Sequence, residues 1–237
     1  MIPQLGADPG APFPPPDEAL DEPDGLLAWG GDLDPLRLLN AYRAGIFPWY
    51  SAGQPILWWC PSTRCVIPPQ RLHVSRRLAR TLRQGRFRIT ADRAFPEIIA
   101  ACARPRPSQP STWITAEMQQ AYTRLHHMGV AHSLEAWLDD QLAGGIYGLA
   151  LGRMFFGESM YSEARDASKV LLALLCRQLS AWNYALLDCQ VSNPHLRQMG
   201  ARQMRRADFL RVLAANIDAP GVDGPWTGRF DGEAVTA

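Results

Sequence analysis

Lysine is almost missing from this chain. Of 24 basic residues only Lys169 is lysine, and the others are arginine. The arginines read either as ordinary solvated side chains of an arginine-preferring proteome or as a local electropositive face. No apolar run approaches the ~20 residues that span a bilayer, and no basic segment leads into an apolar one at the start of the chain. A membrane or secreted protein is not expected, and a cytoplasmic one is. The five cysteines, Cys60, Cys65, Cys102, Cys176 and Cys189, are odd in number and lack short spacings with histidine partners. That excludes a paired disulfide framework and a zinc site, so buried, reduced thiols and no metal are expected. Apolar heptads are lacking too, so a monomer is expected. Charge of either sign is not in excess: the net charge of +1 predicts no polyanion partner, although arginines cluster over Arg76–Arg83, Arg86–Arg93, Arg104–Arg106 and Arg197–Arg211. With 237 residues, 47% of them hydrophobic, the chain can bury a substantial core in one domain or two.

What is present is concentrated between Leu142 and Gln190. Two apolar runs, Leu142–Leu151 and Met154–Phe156, flank Gly152–Arg153, the pattern of a tight hairpin whose second strand carries Glu158 at its end. After Asp166 the period becomes helical, through Val170, Leu171, Leu174, Leu175 and Leu179. This predicts a helix over Ala167–Trp182 with Asp166 or Ser168 as its cap. A strand from Tyr184 then carries Asp188 and Gln190, which alternation puts on one side, with Cys189 turned toward the core. A nucleophilic role for Cys189 is set aside on that ground. Two acids and an amide thus converge at one end of a sheet.

Around this stretch, prolines at 12, 14, 15, 16 and 23 make Met1–Asp24 an extended arm. Asp34 caps a helix through Ala44. The aromatics of Gly45–Tyr50 and Ile56–Trp59 read either as a small core or as a stacking surface for nucleobases. Arg64–Pro69 is a strand. Ser75 caps a helix on which Arg76, Arg80 and Arg83 fall within about 60° of one another, opposite Leu78 and Leu82. That stripe is either a solvated face or a phosphate-contacting one. Phe87–Thr90 is a strand, Asp92 a helix cap, Pro105–Pro110 a loop and Ala116–Met128 a helix capped by Thr115; the adjacent His126 and His127 cannot share one ligand. Val130–Trp137 starts a meander, Asn193–Met199 and Ala207–Asn216 are short helices, and the tail from Pro220 is expected to be loose. The order predicts an α+β protein with a small N-terminal domain over 1–64 and a domain over 65–237 built on a mostly antiparallel sheet.

The strings F-F-G-E-S-M, D-A-S-K and L-D-C-Q-x-x-N-P-H-L, preceded by G-G-D-L, G-I-F-P-W-Y and I-L-W-W, resemble those of the leucyl/phenylalanyl-tRNA–protein transferases, in order from about Gly25 to Leu210. The resemblance implies an N-acetyltransferase-like acyltransferase fold for the second domain. It implies transfer of Leu or Phe, with Met a further donor residue, from Leu-tRNA or Phe-tRNA to the N-terminal Arg or Lys of an acceptor protein, marking it for N-end rule degradation. It also puts Glu158 and Gln190 at the catalytic centre with Asp188 supporting, and assigns Trp49 and Trp113 to the 3′-terminal adenosine of the tRNA.

An aminoacyl ester is already activated, so positioning supplies much of the acceleration and no cofactor is expected. A cationic acceptor residue calls for carboxylates, for which Glu158 and Asp188 are candidates. Gln190, a neutral amide, orients substrate by hydrogen bonds, and Asn193 is a candidate for the same network. An apolar donor side chain calls for an apolar pocket, with Phe155, Met160, Leu172, Leu175 and Leu187 as candidates; Leu175 stands where the family often has an aromatic. With RNA as substrate, Arg76, Arg80 and Arg83 become candidates for tRNA phosphates. An acyl-CoA N-acetyltransferase is the rival enzyme, but it needs a glycine-rich turn where Arg165–Lys169 has none. A noncatalytic RNA-binding module would leave Glu158, Asp188 and Gln190 unexplained.

Overall fold

The computed structural model describes residues 2–105 and 112–230. Beyond Pro105, the loop expected over Pro105–Pro110 lies outside these residues. The proline-rich arm supplies one short edge strand, since each proline removes a ladder donor. This β1 (Gln4–Leu5) runs parallel to β2 (Leu26–Gly30), after which the chain forms α1 (Pro35–Arg43), β3 (Phe47–Pro48) and β4 (Leu57–Trp59). The four strands make a small sheet in the order β1-β2-β4-β3. Asp34 caps α1 as expected, its carboxylate accepting the Leu36 N–H at 2.9 Å.

The larger sheet has seven strands: β5 (Thr63–Ile67), β6 (Arg88–Ala91), β7 (Ala131–Leu138), β8 (Gln141–Leu151), β9 (Met154–Ser162), β10 (Leu186–Gln190) and β11 (Arg202–Arg205). Their order is β11-β5-β10-β9-β8-β7-β6, and every neighbouring pair is antiparallel except β9–β10. A parallel pair needs a crossover, and α5 (Ala167–Ala181) provides it. One face of the sheet is covered by α3 (Phe95–Ala103) and α4 (Ala116–His127), and the other by α5 with α2 (Arg76–Arg83) beside it. The short α6 (Pro194–Gln198) follows β10, and α7 (Arg206–Asn216) packs on β5 and β11. The core on the α3/α4 face is continuous with that of the small sheet, so Trp58 and Tyr42 share a cluster with Phe156 and Tyr147. The core on the α5 face holds Phe155, Leu171, Leu175 and Leu187. Among the described residues no helix is long and apolar enough to cross a membrane.

Local chemistry departs from expectation at four places. Asp92 does not cap α3, whose first-turn N–H groups lack a side-chain cap; it adopts a φ of 56° and turns its carboxylate to His132 and to the Ser133 and Trp226 N–H groups. Asp166 stands at the start of α5 with a φ of 67° and gives no cap bond. Ser168 does not cap the helix either: its N–H donates to the Ser162 hydroxyl across the turn, at 3.2 Å. Glu158 lies in the middle of β9 rather than at its end, because pairing with β8 resumes beyond it as far as Ser162.

The tail is a further departure. From Pro220 the chain crosses back over the large sheet and buries Trp226 completely. The indole stacks on His132 at 4.2 Å between centroids and meets Trp182 edge-on at 5.0 Å, while its backbone N–H donates to Asp92 at 2.7 Å. Glycine and proline set the path of this segment, but one buried indole anchors it. Replacing Trp226 by Ala is expected to lower the unfolding free energy by about 3–4 kcal/mol, as for a buried aromatic, measured by urea denaturation. A loss within the range of a surface substitution would mean that the tail is not docked.

Candidate active site

The site forms where the sheet comes apart. Strands β9 and β10 pair only from Met154↔Leu186 to Phe156↔Asp188, and then each strand carries an irregularity. On β9 the register shifts between the pairs Tyr147↔Ser159 and Gly148↔Gly157, so Glu158 is an extra residue without a partner on β8. On β10 the shift falls between Asp188 and Gln190, which makes Cys189 the extra residue and leaves Gln190 with a φ of 57°. Bulges of this kind re-aim side chains that strict alternation would misplace. Between the parted strands lies a cavity of about 400 Å³.

Its two ends differ in chemistry because it opens to both sides of the sheet. Toward α5 the wall is largely apolar, formed by Ile146, Met160, Leu172, Leu187 and Leu196, with Cys189 and His195 beside them. At the mouth stand Trp49 and Trp113 beside Phe47 and Pro48. Trp49 is 45% exposed, and Trp59 supports it edge-on at 5.7 Å and through an indole N–H to its carbonyl at 2.7 Å. Toward α1 and α4 the wall is polar. Here the Glu158 carboxylate accepts from the Gln190 side-chain amide at 2.9 Å and from the Tyr42 hydroxyl at 2.8 Å. The Tyr42 and Tyr122 hydroxyls lie 2.5 Å apart, so the two phenols share a short hydrogen bond behind Glu158.

Burial raises the Glu158 carboxyl to about 7; the hydrogen bonds from Tyr42 and Gln190 pull it back, and the negative charge of Asp188 pushes it further up. Asp188 itself does not reach the cavity. It is fully buried, and Arg64 takes both of its oxygens, with contacts of 2.8, 2.9 and 3.1 Å. Asp188 also accepts the Gln190 backbone N–H at 2.9 Å. Strand alternation had Asp188 beside Gln190 facing substrate; instead the bulge turns the amide to Glu158 and leaves Asp188 beneath it, charge-neutralised. It is therefore not free to bind a cationic acceptor residue.

The other expected residues divide. Met160, Leu172 and Leu187 line the cavity, as do Trp49, Trp113 and Asn193, whereas Phe155 and Leu175 sit fully buried in the core behind it and are not part of the wall. Asn193 does not join the Glu158 network: its side chain accepts the Leu196 N–H at 2.9 Å and caps α6. Cys189 packs against the core as expected, yet also lines the cavity. Arg76, Arg80 and Arg83 all lie exposed on α2, opposite buried Leu78, and make no ion pair with any described residue; Ser75 caps the helix, accepting the Leu78 N–H at 3.2 Å. Sequence reasoning missed Arg64, Tyr42 and Tyr122. A cation within the apolar strand T-R-C-V-I was the available signal for Arg64; the tyrosines occupy apolar helix positions and gave none.

A carboxyl raised from 4.5 to about 7 keeps its proton in the folded state across that window while the unfolded chain loses it. Stability from this group therefore falls as pH rises from about 4.5 to 7 and stays lowered above. Glu158→Gln, which cannot ionise, is expected to be more stable than the parent above pH 7 by about 2 kcal/mol, allowing for partial access of water, and to gain little below pH 4.5. Denaturation midpoints at pH 4.5 and pH 8 compare the two; an equal difference at both would remove the buried ionisation.

Comparison with known proteins adds an independent line. Residues 66–214 match the profile for leucyl/phenylalanyl-tRNA protein transferase, and residues 31–62 match that for its N-terminal domain. The leucyl/phenylalanyl-tRNA–protein transferase of Alkalilimnicola ehrlichii is 56% identical over 94% of this chain and 86% of its own. The protein of the same name in Chromobacterium violaceum is 50% identical over 99% and 100%. Among solved structures, FemX aligns with 72% of this chain and 66% of its own at a TM-score of 0.48 and 11% identity, too distant to carry an argument.

Proposed function

The chain belongs to the leucyl/phenylalanyl-tRNA–protein transferase family, and from that membership we propose that the cavity between β9 and β10 is where an aminoacyl ester meets its acceptor amine. The protein is an aminoacyltransferase that joins leucine or phenylalanine, delivered on tRNA, to a protein. The observation that supports placing the reaction here is the union of three surfaces in one cavity: an apolar wall, an indole-lined mouth, and a carboxylate poised near neutrality.

In this reading the donor leucyl or phenylalanyl side chain lies against Met160, Leu172 and Leu187, and the terminal adenosine stacks at Trp49 and Trp113. The acceptor, a protein beginning with Arg or Lys, brings its α-amine to Glu158. The amine nitrogen attacks the ester carbonyl as Glu158 takes its proton; the C–N bond forms, the C–O bond breaks, and the same carboxyl returns the proton to the leaving 3′-oxygen. Gln190 is held by Asp188 through its backbone and orients Glu158 or the ester through its side chain. Asp188, paired with Arg64, acts as support. The exposed stripe of Arg76, Arg80 and Arg83 supplies the phosphate contacts. We further take residues 1–64 as the small N-terminal domain and 65–237 as an N-acetyltransferase-like domain, a reading supported by the β-β-β-α-β order around a parallel β9–β10 pair.

Transfer of labelled leucine from leucyl-tRNA to a peptide beginning with arginine tests this directly. For the parent, kcat/KM should rise with pH through about 7 and then level, following Glu158. Glu158→Gln should lose about 100-fold or more and with it that ionisation, the scale of one general acid–base group; unchanged transfer with the same limb would move the chemistry elsewhere. A noncatalytic protein would bind charged tRNA and transfer nothing.

Replacing Arg76, Arg80 and Arg83 together by Ala should weaken binding of charged tRNA and flatten its log–log salt dependence by about 2, as three phosphate contacts imply. Filter binding between 50 and 200 mM salt measures both. An unaltered slope would return the stripe to being a solvated helix face.

A further inference from the structure

One group of side chains at the cavity has no part in the chemistry above. Cys189, the extra residue of the β10 bulge, shares the α5 face of the sheet with Cys65 of β5, and the register Gln190↔Cys65 sets the two cysteines one step apart on adjacent antiparallel strands. Strands about 5 Å apart and one residue, about 3.4 Å, out of step put the two Cα atoms about 6 Å apart, within the separation a disulfide bridges. Both thiols are free, and Cys189 is one of the residues that line the cavity.

We propose that Cys65 and Cys189 form an oxidation site for small peroxides, at which they join in a reversible disulfide that disarms the neighbouring Gln190. The surroundings separate Cys65 from the other thiols, its neighbour Cys189 included, whose thiol the Cys65 sulfur and burial push up. Cys65 faces the Cys189 S–H, the Ser192 hydroxyl and the charge of Arg197, which together hold its thiol below the usual range against burial and Asp188; Arg197 in turn reaches the Ser192 hydroxyl at 3.3 Å. Burial instead pushes Cys176 up to about 12, and Cys60 upward as well. An electropositive, hydrogen-bonded setting next to a solvent-reachable partner is what a responsive cysteine needs.

The chemistry balances with peroxide as the oxidant. Peroxide enters the cavity and meets Cys189, and Cys65 in its thiolate form takes the Cys189 proton. The Cys189 sulfur attacks one peroxide oxygen, an S–O bond forms, the O–O bond breaks, and the departing hydroxide takes up a proton from solvent as water. The Cys65 sulfur then attacks the sulfenic sulfur, the S–S bond forms, the S–O bond breaks, and a second water leaves with the remaining thiol proton. Each sulfur loses one electron and the peroxide gains two. Closing the sulfurs to about 2.05 Å draws the bulge toward β5. Gln190, the next residue, then loses its 2.9 Å alignment on Glu158.

The effect on activity rests on the transferase reading, but the disulfide does not, and the two are measured separately. The full chain is treated with stoichiometric hydrogen peroxide, digested without reduction and mapped. A single Cys65–Cys189 link, removed by dithiothreitol, is expected, with leucyl transfer reduced at least tenfold and restored by the reductant. Cys65→Ala, which leaves the cavity wall untouched, should transfer normally when reduced and resist the dose that silences the parent. Free thiols throughout, a Cys189–Cys176 link, or equal inactivation of Cys65→Ala would each overturn the proposal. Should Cys65→Ala fold poorly, Cys65→Val takes its place, and the map of the parent needs no variant. A reduced parent that transfers nothing would sink the transferase reading while leaving the map to decide the disulfide.

Discussion

The buried ion pair between Arg64 and Asp188 is the constraint from which the rest of the site follows. Taking two charges out of water is costly, and such a pair persists only when geometry and further hydrogen bonds are nearly complete. Here they are: the guanidinium takes both carboxylate oxygens, donates also to the Gly45 carbonyl at 2.9 Å, and lies between the Phe47 and Phe209 rings at 4.7 and 4.6 Å. One cation thus ties the loop before β3, strand β5, strand β10 and helix α7 into a unit. Asp188 Oδ1, held by the Arg64 Nε, also accepts the Gln190 N–H and so keeps that residue in the left-handed conformation that aims its amide at Glu158.

The cavity follows from incomplete pairing. Antiparallel neighbours can stay paired along their whole length, but a parallel pair fed by a crossover helix meets over only three residue pairs here before the strands part. Each strand spends an extra residue at the parting, Glu158 on β9 and Cys189 on β10. The gap joins the two faces of the sheet, which is why an aliphatic pocket and a carboxylate–amide–tyrosine cluster share one space. The setting that makes Glu158 titrate near neutrality, enclosure beneath α1 and α4, is a consequence of its place on the α3/α4 side of that gap.

Strand β5 serves both flanks of the β10 bulge through alternation. Arg64 turns to one face and meets Asp188; Cys65 turns to the other and meets Cys189. Asp188 and Cys189, the two residues that lead into Gln190, thus face consecutive residues of one neighbouring strand. A site held this way is sensitive to small shifts in that strand, whether from loss of the ion pair or from a bond between the sulfurs.

Element order, the hairpin at Gly152–Arg153, the caps Asp34, Ser75 and Thr115 and the basic stripe of α2 were legible in the chain, because each depends on neighbours within a few positions. The motifs around Glu158 and Gln190 were legible as a resemblance, and both residues do meet. Alternation misread the positions around them, since a bulge adds one residue and turns everything beyond it to the other face. Three assignments depended on contacts from far along the chain: Asp188 as the partner of Arg64, 124 positions away, Tyr42 as a donor to Glu158, 116 positions away, and Trp226 as the anchor of a tail that composition made look loose. Local pattern reports how a segment prefers to fold; which buried charge, hydroxyl or indole it meets is decided only when distant segments are packed together, because only burial makes an unpaired polar group costly enough to select its partner.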